Sequence, residues 1–227
     1  MRQKIGMFAV AAMVIGPALA WLRLVPGLVG FVLFALGGLV ALVVGIVSVV
    51  QAARGRGMGA GGTAALIAGA AMVVIAARGG GAPRINDFTT DLADPPAFRH
   101  AGTLPPNAGR DLGYPPDFAA IQRACCSDLR PARLAAPPPE AFARARRVAE
   151  TMPTWTITVA DPATGTIEAI STTRLFGFHD DIAIRVRGDG PDASRVDMRS
   201  KSRDGKGDLG ANAARIRAYV TVLEASR

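Results

Sequence analysis

Basic side chains alternate along two neighbouring stretches, Arg185 and Arg187, then Arg195, Asp197, Arg199 and Lys201, while Ile182, Ile184, Val186, Val196 and Met198 take the positions between. A spacing of two is that of an extended chain. The pattern therefore predicts two strands that send aliphatic side chains to one face and a cluster of cations to the other. Strands pack about 4.8 Å apart, and like charges this close are unfavourable unless Asp197, Glu168 or an outside anion neutralises them. Such a face offers anion binding, to the phosphate or carboxylate groups of a lipid, a glycan or a partner protein. The competing account is an ordinary solvated face, since polar residues commonly alternate on an antiparallel sheet.

The segment from Arg199 to Gly210 extends this reading. Serines, glycines and basic groups lead into the start of a helix, where free N–H groups hold anions. Lys206 is followed by Gly207, so the spacing is not that of a P-loop, and Lys206 also breaks a calcium-loop pattern. Asp208 or Asn212 could equally cap the helix. The candidate ligand-binding residues are Arg185, Arg195, Asp197, Arg199, Ser202, Arg203, Asp208 and Asn212. For catalysis the best candidate is His179-Asp180-Asp181, because an imidazole beside two carboxylates suits acid–base or metal chemistry, although a turn into a strand explains it too. His100 and His179 are the only histidines; Gly-x-Ser-x-Gly and zinc-type spacings are missing, so no catalytic residue, metal or cofactor is assigned. Cys125 and Cys126 are adjacent, a poor geometry for a disulfide, and read as a half-buried structural site.

The elements that must position these groups follow from periodicity. After Pro137, Pro138 and Pro139 a helix over about 139–152 sets Phe142, Ala145, Val148, Ala149 and Met152 on one stripe. Strands follow at Thr154–Val159, 166–173, 181–187 and 194–201, then a helix at about 210–225 that buries Ile216, Tyr219, Val220 and Leu223. Hairpin-length turns between the strands argue an α+β domain, with a four-stranded antiparallel sheet and flanking helices on one face. Residues 79–138, broken by proline pairs, read as a wrapping segment with one short helix near Asp117–Ala124.

Ahead of all this, residues 1–78 form a membrane module. The first 86 residues hold no aspartate or glutamate; all 18 acids lie beyond them. Apolar runs at 5–22, 28–50 and 60–77 match the roughly 20 residues a helix needs to cross hydrocarbon. Small residues recur every four positions, Ala12, Gly16 and Ala20, then Gly37, Ala41 and Gly45, then Gly61, Ala65 and Gly69, which suits close helix packing in a hairpin or a homo-oligomer. Arg2, Lys4, Arg54 and Arg56 favour a cytoplasmic N-terminus over the loop holding only Arg23, against Arg78 and Arg84 beyond the third run. Three crossings then place residues 139–227 and their wrapping segment outside the cytoplasm, at the plasma (inner) membrane. A signal peptide over Met1–Ala20, ending Ala18-Leu19-Ala20, is the alternative and leaves the domain on the same side. The net charge of +8 stems largely from the acid-free part and carries no nucleic-acid signature.

The order of motifs, Pro83-Arg84-Ile85-Asn86-Asp87-Phe88-Thr89-Thr90-Asp91, then Phe176-Gly177-Phe178-His179-Asp180-Asp181, then Arg195 through Arg203 and Asp208-Leu209-Gly210-Ala211-Asn212, resembles the bacterial family of domain of unknown function 1499 over Pro83–Leu223. The resemblance implies an envelope-associated domain and no reaction. It also implies that Asn86, Asp87, Asp91, Asp181, Arg199, Ser202, Arg203, Asp208 and Asn212 form one polar constellation. The resulting expectation is a membrane-anchored extracytoplasmic domain that binds an anionic lipid, an anionic glycan or a partner membrane protein. An envelope hydrolase at His179, Asp180 and Asp181, or a structural assembly subunit, is the alternative.

Overall fold

A computed structural model describes residues 2–226, with only the backbone of Arg78 and Gly79. Met1, where the signal-peptide reading starts, and the charge of Arg78 lie outside the described residues. The chain divides into two compact units, residues 2–81 with Thr173–Phe178, and Ala82–Thr172 with residues 179–226.

The first unit is built from α1 (Arg2–Trp21), α2 (Gly27–Ala53) and α3 (Gly59–Gly79). All three are long and apolar enough to cross a membrane. Their small residues are used inside the chain. A side chain at Gly37 would begin 2.7 Å from the Met13 nitrogen and 2.8 Å from the Ala9 carbonyl, and one at Gly45 would begin 2.6 Å from Leu66 Cα. Ala41 and Ala65 are fully buried between the helices. Glycine is thus required where two backbones touch, which supplies association that lipid does not drive.

In the second unit the long strands are β3 (Trp155–Asp161), β4 (Thr166–Thr172), β5 (His179–Gly188) and β6 (Ser194–Ser202), all antiparallel neighbours in that order. The expectation of four strands needs correction, because the sheet has six. β1 (Asp87–Thr89) and β2 (Ala132–Leu134), both from the proline-rich segment, pair one after the other along the outer edge of β6. Between them Thr90 donates its N–H to the Met198 carbonyl and accepts the Met198 N–H on its hydroxyl, both at 2.8 Å. The wrapping segment satisfies an edge that would otherwise expose unpaired N–H and C=O groups. Runs of three residues carry too little periodicity to be read as strands.

Helices α5 (Pro138–Thr151) and α6 (Ala211–Ala225) cover one face of the sheet. Ile182, Ile184, Val186, Val196 and Met198 meet Phe142, Val148, Ile216, Tyr219 and Leu223 there, all buried. Tyr219 stacks on Trp155 at 5.5 Å and donates its hydroxyl to the Ala145 carbonyl at 3.0 Å, so its polar tip is paired inside the core. A short helix α4 (Phe118–Cys125) docks through Gln122. That buried amide donates to the Thr89 carbonyl at 2.6 Å and accepts the Thr89 N–H at 3.0 Å, extending the ladder of β1 by a side chain.

Candidate functional site

The basic face of the sheet is on the side opposite the helices, as the alternation requires, and residues 91–114 of the wrapping segment cover much of it. Asp197, fully buried, receives Arg185 at 3.1 Å, Arg187 at 2.9 Å and Arg195 at 2.8 Å. Asp91, held in a tight turn by the N–H groups of Ala93 and Asp94, reaches Arg195 at 2.8 Å and Arg187 at 3.2 Å. Asp94 meets Arg185 and Arg187 at 3.0 Å. Three arginines therefore meet three aspartates, two of them contributed by a segment about a hundred residues earlier in sequence. Glu168 is not among these partners. Its carboxylate, 1% exposed, accepts the N–H groups of Arg99, His100 and Ala101 at 2.7–2.9 Å and anchors the covering segment.

Burial pushes the Asp91 carboxyl upward, but the N–H groups of Asp94 and Ala93 and the guanidinium groups of Arg195 and Arg185 outweigh it and hold the group below 3.8. A depressed carboxyl stabilises the fold above its unfolded pKa, and that contribution is lost as pH falls through the folded value. Thermal melts of the full chain between pH 6 and 2 are thus expected to show an acid-side loss of stability that is smaller in Asp91→Asn. Equal acid slopes for the two proteins would refute the pairing.

Further along the same face Asp87, fully buried, binds Arg199 through two parallel hydrogen bonds at 2.9 and 2.7 Å and Lys201 at 2.9 Å. Asp181 holds Arg203 at 2.6 Å and accepts the Asn107 amide at 3.0 Å. Asp180, one residue earlier and so on the helix side, pairs with Arg215 of α6 at 2.6 Å. β5 begins at His179, two residues before the predicted strand, so His179-Asp180-Asp181 is a strand rather than a turn. Its two carboxylates diverge to opposite faces, each on an arginine, and do not converge on one reacting atom.

The Arg199–Gly210 segment closes on itself in the same manner. Asp208 accepts the N–H of Gly210 at 2.9 Å and of Asn212 at 2.7 Å, placing an internal carboxylate where an external anion would sit at the start of α6. Burial pushes the Asp208 carboxyl upward against those N–H groups, and the nearby charge of Asp180 adds to it. Asn212 joins Ser200 at 2.6 Å and Ser202 at 2.9 Å, and donates to the Asn86 carbonyl at 3.2 Å. The predicted residues thus fall into two groups. Arg185, Arg195, Asp197, Arg199 and Arg203 share the covered face, while Ser202, Asp208 and Asn212 lie on the helix side. Among the described residues no three His, Cys, Asp or Glu side chains gather as a metal site would need. Cys126 is buried and Cys125 exposed, both as thiols; partial burial of the sulfur and the neighbouring Cys126 push Cys125 up to about 12.

A feature absent from the sequence reading is a cavity of about 680 Å³ in the covering segment, walled by Leu92, Pro95, Phe98, Leu112 and Tyr114 with Arg199 among its lining. The Arg199 guanidinium lies 4.6 Å from the Phe98 ring centroid and 5.5 Å from that of Tyr114. Stacking of this kind, with the pair to Asp87, keeps a buried arginine charged and fixed. Burial, followed by the charge of Asp87, raises the Tyr114 phenol, so it stays a hydrogen-bond donor, here to Gln122 at 3.2 Å. The only sequence signal for this cavity was a set of apolar residues scattered among prolines, which no period connects.

Three helices long and apolar enough to cross a membrane, followed by a domain with an ion-paired sheet face, define a helix-bearing α+β protein. More particularly, residues 87–223 match the model of a protein family described as protein of unknown function (DUF1499), and the chain belongs to that family. No curated protein matches the chain.

Proposed function

We propose that the protein is a membrane-anchored, extracytoplasmic binding module for an anionic component of the cell envelope, and that its ligand seat is the cavity over Arg199 rather than the whole basic face. The observation supporting this reading is the charge beneath that cavity. Arg185, Arg187 and Arg195 are matched by Asp91, Asp94 and Asp197, whereas Arg199 and Lys201 share Asp87 alone. One positive charge is left over beneath a largely carbon-lined cavity, where it can attract an incoming anion. The paired face then serves as the rigid support of the seat. The positive-inside bias of Arg2, Lys4, Arg54 and Arg56 supports the extracytoplasmic side.

Two measurements test the reading. A C-terminal reporter that matures only outside the cytoplasm is expected to be active, and activity of a cytoplasm-only reporter in its place overturns the orientation. Full-length protein in nanodiscs of zwitterionic lipid is expected to bind phosphatidylglycerol vesicles, weakening with salt, and to ignore phosphatidylcholine vesicles. Equal binding to both, or to neither, overturns the anionic ligand.

A further inference from the structure

The link between β4 and β5, Thr173–Phe178, belongs to the compact unit of the three helices and not to that of the strands it joins. Thr173 closes its backbone, donating its N–H to the Phe178 carbonyl at 2.8 Å and accepting the Gly177 N–H on its carbonyl at 3.0 Å and the Phe178 N–H on its hydroxyl at 2.8 Å. Phe176 and Phe178 then pack on the first turns of α2, their ring centroids 5.5 and 6.0 Å from that of Phe31. Glycine makes this fit. A side chain at Gly27 would run into the Phe176 carbonyl, and one at Gly177, whose φ is 68°, into the Arg23 guanidinium. Leu175 is left 48% exposed, and Trp21, Leu22 and Leu24, at the end of α1 and in the turn after it, are exposed as well. Exposed apolar side chains gathered with cations mark a membrane or partner surface. α2 has 27 residues, roughly 40 Å at 1.5 Å per residue against about 30 Å of hydrocarbon, so it reaches past the hydrocarbon into the headgroup layer. Residues 1–86 and 173–178 hold no aspartate or glutamate, so the exposed Arg23 and Arg174 find no carboxylate within their own unit.

We infer that Thr173–Phe178 is a lipid-contacting anchor, held at the interface of the bilayer that the chain's own helices are long and apolar enough to cross. Leu175 enters the boundary between headgroups and acyl chains, as Trp21 and Leu24 do, while Arg174 and Arg23 take lipid phosphates as their counterions. Closure by Thr173 suits a layer in which water is scarce, because it pairs backbone groups inside the segment. The occupant is lipid rather than a second protein for two reasons. Leu175 adds to the exposed apolar surface of α1 and α2, and the unit presents cations with no acid of its own. The anchor shares no residue with the cavity over Arg199, so either reading can fail alone.

The test adds a tryptophan to the full-length protein in nanodiscs of zwitterionic lipid and reads its emission as the difference from the unaltered chain, which has Trp21 and Trp155. In Leu175→Trp the added emission is expected to be lost when the lipid carries bromine in the upper part of its acyl chains, to be lost less with bromine at mid-chain, and to withstand iodide in the water. In Ala163→Trp, within the exposed turn at the other end of β4, the opposite is expected: loss with iodide and none with brominated lipid. Gly27→Ala suits a helix but meets the Phe176 carbonyl, and combined with Leu175→Trp it is expected to turn lipid quenching into iodide quenching. Iodide quenching of Leu175→Trp without lipid quenching, or equal lipid quenching at both positions, overturns the anchor. Lipid quenching that Gly27→Ala leaves unchanged overturns the seat on α2 as the structure that holds it.

Discussion

Asp87→Ala is expected to destabilise the domain by about 3–5 kcal/mol, the cost of leaving a buried charge without its partner. Asp87 is fully buried, Arg199 is 3% exposed at its side chain and Lys201 9%, and Arg199 cannot turn to water without unpacking Phe98 and Tyr114. In thermal unfolding of the full chain, followed by domain fluorescence, a loss on the order of 10 °C is expected. The comparison that isolates the mechanism is Asp87→Leu with Arg199→Met and Lys201→Met. Removing all three charges together is expected to cost less than removing the aspartate alone, since a buried ion cluster is weakly stabilising as a whole and expensive to break in part. A melt of Asp87→Ala within one or two degrees of the unaltered protein would mean that the two cations are hydrated in solution, and the cavity floor proposed above would lose its excess charge.

Glu168→Ala carries the second large effect. The carboxylate ends three backbone N–H groups at once, in a place water barely reaches, and each buried N–H left unpaired costs about 1–3 kcal/mol. A total of about 3 kcal/mol or more is expected, and its location is more telling than its size. Hydrogen exchange at Arg99, His100 and Ala101 is expected to accelerate strongly while the amides of β5 and β6 keep their protection, because the loss frees the covering segment and leaves the sheet paired. Glu168→Gln keeps an acceptor oxygen but replaces the other with a donor, so an intermediate effect is expected. Exchange that accelerates uniformly across the domain would instead make Glu168 a part of the global core. Phe98 follows directly before Arg99, so the same substitution is expected to loosen the cavity wall and weaken any ligand held there.

Much of the framework is legible in the order of residues because it depends on local repetition. Alternating aliphatic positions from Ile182 to Val186 and from Val196 to Met198 name the strand face that is buried, and the stripe Phe142, Ala145, Val148, Ala149 names the helix face that meets it. The apolar stretches announce their helices within a few residues, α2 running Gly27–Ala53 against the predicted 28–50. β1 and β2 escaped notice because three residues show no period, and β5 reaches back to His179 because pairing with Thr172 extends it past the last alternating residue. The count of four strands failed for that reason and not through a misread class.

Side-chain direction is set by the backbone repeat of the residue's own element, so the sequence by itself determined the acid-free helical module, the helix-facing core and the fact that Arg185, Arg195 and Arg199 share the opposite face. Which charges those arginines meet is set by a chain segment roughly a hundred residues away, and electrostatic attraction has no sequence period. Only the tertiary structure decided that Asp91 and Asp94 fold back to close the face, that Glu168 serves three backbone amides instead of the arginines, and that Phe98 and Tyr114 come together over Arg199 with one cation more than the buried aspartate can match.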